Sequence, residues 1–383
     1  MPINLPHQHP QVRVVVTGIG LSSCLGSLAP TWQRLQERRS GLRLQQPFPH
    51  LPPLPLGLLG STPATLAPLV PTLAQEALAD SGLNPSTPNG AVVVGSSRGA
   101  QGQWEQFLTP PYPPPHNWLD TLPHQAALLA GQSLHQPALI LAPMAACASG
   151  LQALMQAYEL IRRNEVDWAL AGAVEVPITP LTLAGFKKMG ALAPQGCYPF
   201  DRRRQGLALG EGGALLVLES QEAAQERGAK IYARILGWGL TCDALHVSSP
   251  ALDNGSAQRA IQRALARSGL EAIQIQMIHA HGTGTHLNDA REAQLIASLF
   301  PQTVGVCSTK GATGHTLGAS GALGVALTCL ALQHQTLPPT VGLQEPQFDL
   351  NFGPCSAILD QALCLSFGFG GQNGVLVLQH PQA

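Results

Sequence analysis

The chain has 383 residues, enough for two domains or one large fused domain. Charged residues make up 11% and hydrophobic residues 45%, which indicates a large buried core and excludes an extensively disordered chain. The formal net charge is -1, so the basic excess of a nucleic-acid-binding protein is missing and we expect no nucleic-acid partner.

From the sequence we expect neither a targeting segment nor a membrane span. Residues 1–10 are polar and lack the basic start and apolar core of a secretory signal. The longest uncharged helical candidate, residues 316–332, is shorter than the ~20 apolar residues of a membrane span. Its small residues predict a buried helix, so we expect no membrane span. Eight scattered cysteines form no C-x-x-C pair, and we expect free thiols in a cytoplasmic protein.

Short apolar runs alternate with helical patterns, which predicts α/β layers. In chain order, strands are predicted at residues 14–16, 91–94 and 138–142, an amphipathic helix at 148–163, and further strands at 169–174 and 214–218. Two Pro-rich regions, residues 45–71 and 109–115, are predicted to be loops.

Two distant segments resemble each other. Residues 209–219 read LGEGGALLVLE and residues 367–379 read FGFGGQNGVLVLQ, each a Gly-rich turn followed by a Val/Leu strand. The similarity suggests two halves of similar architecture. A chance similarity between two Gly-rich turns is the alternative.

Cys147 is a candidate nucleophile. It lies in PMAACASG, between a predicted strand and a predicted helix. A helix N-terminus lowers the pKa of a thiol, because its dipole and free N–H groups favour the thiolate. The small neighbouring residues leave room for a substrate. This segment alone is equally compatible with a buried structural cysteine.

His281 lies in HAHGTGTHLND, after an apolar run at residues 275–280. This predicts a position at a strand end, where α/β sheets present functional groups. Asp289 and Glu292 resemble a capping box that opens a helix at residues 289–300.

His279 and His286 flank His281 and raise the possibility of a metal site. His279 and His281 are two residues apart on the predicted strand, which places them on the same face. No carboxylate pattern completes a zinc signature, however, so we expect no metal.

His315 lies in STKGATGHTLGASG, where the small-residue helix begins, and Lys310 precedes it in a chain with four lysines. A neutral imidazole at a helix N-terminus is a hydrogen-bond donor whose protonation the dipole disfavours. The Gly-rich loop at residues 367–374 leads into a strand instead of a helix, which argues against a nucleotide-binding loop.

With these motifs in chain order, the sequence resembles the β-ketoacyl-(acyl carrier protein) synthases, type II condensing enzymes of the thiolase superfamily. The resemblance extends from about residue 12 to residue 378. The motifs that carry it are ACASG, ITPLTLAGFKKMGALA, YPFDRRRQGLALGEGG, DALHVSSP, HGTGTHLND, STKGATGHTLGASG and SFGFGGQNG. It implies an α/β thiolase fold with a five-layer α/β/α/β/α core. The nucleophile would lie in the first half, residues 1–235, and the histidine pair in the second, residues 236–383.

The resemblance implies a 3-oxoacyl-(acyl carrier protein) synthase, which condenses malonyl-carrier protein with an acyl-enzyme thioester and releases carbon dioxide. The implied catalytic residues are Cys147, His281, His315 and Lys310. The residues implied for substrate contact, oxyanion stabilisation and gating are Thr283, Thr285, Arg98, Phe186 and Phe369. The implied partners are an acyl carrier protein and a second copy of the chain in a homodimer. No bound cofactor is implied, since phosphopantetheine arrives on the carrier.

The chain also departs from the family. Gly324 stands where the family usually has an acidic residue. Gly190 stands where some members have a basic residue that helps to bind the carrier protein. Arg98 falls where some members have an apolar residue. The chain is also somewhat short. The carrier protein is acidic in this family, so the surface that binds it is expected to be basic. The densest basic groups are Lys187, Lys188, Arg202, Arg203 and Arg204, followed by Arg34, Arg38 and Arg39. Ordinary solvated charges are the alternative for each of these residues.

Three rival functions fit less well. A thiolase would use a second cysteine as base, but the final glycine loop has none and there are two histidine motifs. A non-catalytic subunit of a synthase pair would be expected to lack Cys147. A papain-like hydrolase would carry a local signature that is missing here. The acyl length and the pathway stay open.

Overall fold

The structure, a computed structural model, describes residues 12–110, 115–134, 137–248, 254–353 and 358–383. The predicted loop at 109–115, the DALHVSSP motif and Cys355 therefore lie partly or wholly outside the described residues. The strands are β1 Val14–Ser23, β2 Gly26–Ser27, β3 Arg43–Gln45, β4 Leu54–Leu56, β5 Gly90–Gly95, β6 Leu139–Leu141, β7 Trp168–Glu175, β8 Gly212–Ser220, β9 Ala233–Cys242, β10 Met277–His279, β11 Gly305–Cys307, β12 Gln361–Gly368 and β13 Gln372–Gln379.

The α-helices are α1 Leu28–Gln36, α2 Leu66–Ser81, α3 Gln101–Phe107, α4 Gln125–Gly131, α5 Ser149–Arg162, α6 Pro180–Lys188, α7 Gln221–Glu226, α8 Gly255–Ser268, α9 His286–Leu299, α10 Lys310–Thr313 and α11 Ser320–His334. Short 3₁₀ segments cover Pro115–Thr121, Ala272–Gln274, Leu317–Ala319 and Phe369–Gly371. Every strand and helix predicted between residues 14 and 218 is present, with longer β1 and β8 than the pattern indicated.

The main sheet consists of two arrays with the same topology. The first has the order β1-β8-β7-β5-β6 and the second the order β9-β13-β12-β10-β11. In each array the first two pairings are antiparallel and the last two are parallel. β1 and β9 pair antiparallel through a short ladder and join the arrays.

This topology confirms the predicted repeat, because β8 and β13, the two similar segments, take the same place in each half. β9 begins the second array. The predicted boundary between the two halves, between residues 235 and 236, falls within this strand and stays a prediction.

Helices cover both faces of each array and produce the layered α/β thiolase fold. α5 and α11 contact each other in the central layer, between the two arrays. α2 and α4 cover the outer face of the first array, and α8 and α9 pack in the outer core of the second. The apolar segment Leu317–His334 has the length and composition of a membrane span, yet most of it is buried in this central layer. The prediction of a buried helix is confirmed.

A Gly-x-Gly pair in the first strand of each half lets a helix backbone lie directly on the sheet. A methyl group on Gly20 would lie 2.0 Å from the carbonyl oxygen of Leu73 in α2. In the equivalent strand, a methyl group on Gly239 would lie 1.9 Å from the carbonyl oxygen of Ala260 in α8. Both distances are far below van der Waals contact, so only glycine permits this approach.

The prediction of a loop at residues 45–71 is wrong in part. β4 pairs with β3 within it, and α2 begins at Leu66 and includes Pro71. A proline inside a helix removes one backbone hydrogen bond. The helix forms because its apolar residues, among them Val70 and Leu73, are fully buried against the sheet.

We predict that Gly239→Ala lowers the free energy of unfolding by ~1–3 kcal/mol or more, because the added methyl group overpacks the β9–α8 contact. Chemical denaturation measures the change. Gly185→Ala is the matched control, since a methyl group at this position in α6 would meet nothing within 4 Å. An alanine there should leave stability unchanged or raise it. Equal effects of the two substitutions would contradict the packing argument.

Candidate active site

Cys147 lies in the tight turn between β6 and α5. Ala146, just before it, has a φ of +48°, a left-handed conformation that is strained for alanine. The hydroxyl of Ser149 holds this turn, since it accepts from the amide of Ala145 and donates to the carbonyl of Ala146 at 2.9 and 2.7 Å. Ser366 of β12 donates to the carbonyl of Cys147 at 2.8 Å, so the second half of the protein also holds the nucleophile in place.

Burial raises the pKa of the Cys147 thiol to about 11. The positive charge of Lys310 and the backbone N–H of Phe369, which donates to the thiol, act in the opposite direction. The predicted lowering of this pKa is therefore wrong for the unliganded protein, because desolvation outweighs the groups that favour the thiolate.

His315 is held by contacts with both halves. Its Nδ1 and the hydroxyl of Ser320 are 2.8 Å apart, which leaves Nε2 for the cavity. The backbone N–H of His315 donates to the carbonyl of Ala208 at 2.7 Å, in the segment that leads into β8. Ser320 is the first residue of α11, so the start of that helix sets the orientation of the imidazole.

His281 lies beyond the end of β10, in a turn held by two buried carboxylates. Glu292 accepts from the amide of His281 at 2.6 Å and from the amide of Gly282 at 2.7 Å. Asp289 accepts from the amide of Thr283 at 3.0 Å. The predicted capping box is wrong, because α9 begins at His286 and both acids point back from inside the helix onto the turn.

Lys310 joins the two histidine segments. Its Nζ donates to the backbone carbonyl of His281. Burial lowers the pKa of Lys310, whereas the nearby carboxylate of Glu292 raises it. Among the described residues, no carboxylate oxygen lies within ion-pair distance of the ammonium group.

The rings of His281 and His315 lie close together, with centroids 5.2 Å apart and planes at 79°. Burial lowers the pKa of each imidazole well below its ordinary value, and the charge of Lys310 lowers it further. Both imidazoles are therefore neutral near pH 7. A neutral imidazole keeps one N–H group, so each can donate one hydrogen bond.

These groups meet in one cavity of about 430 Å³. The predicted residues among its lining are Cys147, His281, His315, Thr283, Thr285, Phe186 and Phe369. The rings of Phe186 and Phe369 stack at 5.8 Å beside the thiol. Arg98 is exposed and does not line this cavity, although its guanidinium lies 5.9 Å from the ring centroid of Phe186.

The thiol of Cys147 and the imidazoles of His281 and His315 also offer three possible metal-ligand atoms that lie within 4.8 Å of one another. Histidines that bind zinc almost always donate their second ring nitrogen to another group. In the described part of the chain, Nδ1 of His281 has no hydrogen-bond partner. The arrangement therefore suits proton and hydrogen-bond chemistry better than metal binding.

The side chains of His279, His281 and His286 do not meet at one metal site. β10 ends at His279, whose ring lies beside α11, while His281 faces the cavity. The expectation that these two share a strand face is wrong because β10 ends at His279, so His281 lies beyond the strand and does not follow its alternation. His286 is exposed at the start of α9.

The basic residues predicted to bind the carrier protein differ in exposure and in their partners. Lys187 and Lys188 are exposed at the end of α6, directly before two residues that line the cavity. Arg203 forms an ion pair with the buried Asp201. Arg204 is 3% exposed and donates to the carbonyl of Asp201, so its inclusion in the dock is wrong.

Glu175 is a buried acid that the sequence patterns did not single out. It lies at the end of β7 and accepts from the hydroxyl of Ser96 at 2.7 Å and from the amides of Arg98 and Gly318 at 3.0 and 3.1 Å. It thus ties the turn after β5 to the segment that precedes α11. The only sequence signal is an acid that ends an otherwise apolar strand.

Comparisons with known proteins agree with this geometry. Residues 66–224 match the family "Beta-ketoacyl synthase, N-terminal domain" and residues 232–344 match "Beta-ketoacyl synthase, C-terminal domain". The chain is 39% identical over 251 residues to 3-oxoacyl-(acyl-carrier-protein) synthase 2 from Synechocystis. That alignment covers 62% of this chain and 60% of the relative, so the match spans less than two thirds of the relative's length.

Two solved structures match nearly the whole chain. One is a type II polyketide synthase acyl-carrier protein in complex with its ketosynthase bound to the hexaketide. It has a TM-score of 0.89 and 27% identity, and the match covers 97% of this chain and 100% of that one. The other is the ishigamide ketosynthase/chain length factor, with a TM-score of 0.87, 30% identity and coverage of 97% and 99%. The duplicated fold, the site and these matches show that the chain belongs to the β-ketoacyl synthase family.

Proposed function

We propose that the protein is a 3-oxoacyl-(acyl carrier protein) synthase, which elongates an acyl chain by decarboxylative condensation with malonyl-carrier protein. The observation that carries the proposal is the meeting of one thiol and two neutral imidazoles in a single cavity. The cavity has room for the arm of a thioester, and its lining supplies a nucleophile and two hydrogen-bond donors.

The first step loads the acyl group. The Cys147 thiolate attacks the carbonyl carbon of the acyl thioester, a new C–S bond forms, and the carrier leaves as its thiol with the proton that Cys147 lost. The backbone N–H groups of Cys147 and Phe369 stabilise the negative oxygen of the tetrahedral intermediate. Lys310 favours the thiolate through its charge.

The second step uses the imidazoles of His281 and His315 as donors to the thioester carbonyl of malonyl-carrier protein. Cleavage of the C–C bond releases carbon dioxide and leaves an enolate, whose negative oxygen these donors stabilise. The enolate carbon then attacks the acyl-enzyme, and Cys147 leaves as a thiolate. Thr283 and Thr285, with hydroxyl oxygens 2.9 Å apart, line the path for the pantetheine arm.

Exposed residues of the protein support two partners, an acyl carrier protein and a second copy of the chain. Lys187 and Lys188 form an exposed basic pair beside the cavity, suited to an acidic carrier protein. The edge strand β6 and exposed apolar side chains such as Trp104 and Leu108 support a homodimer. The seven described cysteines are free thiols, which supports a cytoplasmic location. Because Arg98 contacts Phe186, we keep it as a candidate for acyl-chain selection.

We expect Cys147→Ala to abolish acyl-enzyme formation, detected by intact mass. His281→Ala and His315→Ala should each slow malonyl decarboxylation by ~10²–10³-fold, because each removes one donor to the enolate oxygen. Acylation of Cys147 should fall much less in both histidine variants. Decarboxylation at the unmutated rate in either variant would assign that histidine another role.

Alkylation of Cys147 in the unliganded protein should accelerate with pH. Because burial raises the thiol pKa to about 11, the thiolate fraction rises roughly tenfold per pH unit between pH 7 and 9.5. Lys310→Met should slow alkylation at every pH in this range, because the lost positive charge raises that pKa further. Peptide mass spectrometry after iodoacetamide gives the rates, with the exposed Cys242 as reference. A rate at Cys147 independent of pH would contradict the burial argument.

Lys187→Glu combined with Lys188→Glu should raise KM for acyl-carrier protein at low salt, and the effect should shrink as salt increases. Loading from a small acyl-pantetheine thioester should be unaffected. The matched control is Arg259→Glu with Arg263→Glu, two exposed arginines of α8 that belong to neither predicted docking group and do not line the cavity. A dock at Lys187 and Lys188 is excluded if the control pair has the same effect, or if both substrates are affected equally.

A further inference from the structure

The two histidines proposed as donors lie next to two elements, β10 and α11, that touch each other at a second point. β10 ends at His279, two residues before His281. α11 begins at Ser320, which holds His315, and Gly324 follows one turn later. Hence a contact between His279 and Gly324 joins the strand that leads to His281 and the helix that follows His315.

This contact is unusually close and depends on the glycine. The ring of His279 is buried, and a methyl group on Gly324 would lie 2.8 Å from its Cε1 and 2.9 Å from its Nδ1. Such distances do not occur between unbonded carbon atoms, so the imidazole occupies space that exists only because residue 324 has no side chain.

Neither partner can yield easily. The backbone of His279 pairs with β11 on one side and β12 on the other, and its Nε2 lies 3.2 Å from the hydroxyl of Thr309, the neighbour of Lys310. Three residues earlier on α11, Gly321 packs against Leu151 of α5, where a methyl group would lie 2.8 Å from Cγ, so α5 restricts the helix next to this contact. A larger side chain at residue 324 would therefore push α11 and β10 apart.

We propose that the contact between His279 and Gly324 sets the separation of His281 and His315, and that His279 is a positioning residue for the two donors. The proposal rests on the proposed function, since the donors act on malonyl decarboxylation. The imidazole of His279 contacts Thr309 and Gly324, neither of which lines the cavity, and it acts by filling the space between β10 and α11. Burial and the charge of Lys310 lower the pKa of His279 to about 3, so its imidazole is uncharged near pH 7.

The test is a double-mutant cycle. Gly324→Ala should lower kcat for malonyl decarboxylation by ~10–100-fold, because a shift of about 1 Å in a catalytic group can cost 10²-fold. KM should change little, since the cavity entrance is untouched. His279→Ala removes the obstructing ring, so the double variant with Gly324→Ala should be several-fold more active than Gly324→Ala alone. Melting temperatures are measured for all four proteins, so a Gly324→Ala protein that folds poorly still reports whether His279→Ala rescues it.

Gly321→Ala is the matched control, because it adds the same methyl group to the same helix at a contact with α5. His279→Ala should not rescue it. The proposal is overturned if Gly324→Ala is folded and fully active, if His279→Ala rescues neither its activity nor its melting temperature, or if it rescues Gly321→Ala equally well.

Crystal structures of the variants distinguish a failure of this proposal from a failure of the proposed function. In Gly324→Ala, the distance between the ring centroids of His281 and His315 should depart from 5.2 Å and return in the double variant. An unchanged distance in Gly324→Ala overturns the positioning role whatever the enzyme does. Absence of decarboxylation by the unmutated protein would instead overturn the proposed function and leave the structural comparison intact.

Discussion

The candidate active site depends on one buried cation, Lys310. Its ammonium group donates to the carbonyl of His281, and its charge favours the thiolate of Cys147 while it disfavours protonation of both catalytic imidazoles. In the proposed mechanism Cys147 must ionise and the two imidazoles must stay neutral, and the charge of Lys310 favours both states. Gly324 leaves the lysine without an acid from α11, and the carboxylate of Glu292, from α9, is the main charge that stabilises it.

The site exists only where the two halves of the molecule meet. The proposed nucleophile comes from the first half and both histidines from the second, yet Cys147 and His315 each form a hydrogen bond with the opposite half. Ser366 of β12 holds the carbonyl of Cys147, and Ala208, ahead of β8, holds the amide of His315. These contacts join residues more than 100 positions apart in the chain, so the catalytic geometry is a property of the complete fold.

Close backbone packing gives this arrangement its rigidity. Glycines place α2 and α8 directly on β1 and β9, and Gly324 admits the ring of His279 against α11. A protein interior is packed as densely as an organic crystal, so such contacts transmit a displacement instead of absorbing it. The buried acids Glu175 and Glu292 complete the scaffold, because they accept hydrogen bonds from backbone amides in the turns after β5 and β10 and in the 3₁₀ segment before α11.

The sequence by itself determined the alternation of strands and helices, the duplication seen in β8 and β13, and the candidates Cys147, His281 and His315. These features depend on local periodicity and on motifs, which short segments encode. Only the tertiary structure decided that the pKa of Cys147 is raised, that Arg204 is buried and that Asp289 points back onto the histidine turn. Burial and charge at one residue depend on side chains that are distant in sequence, and a pattern read along the chain contains no information about those distances.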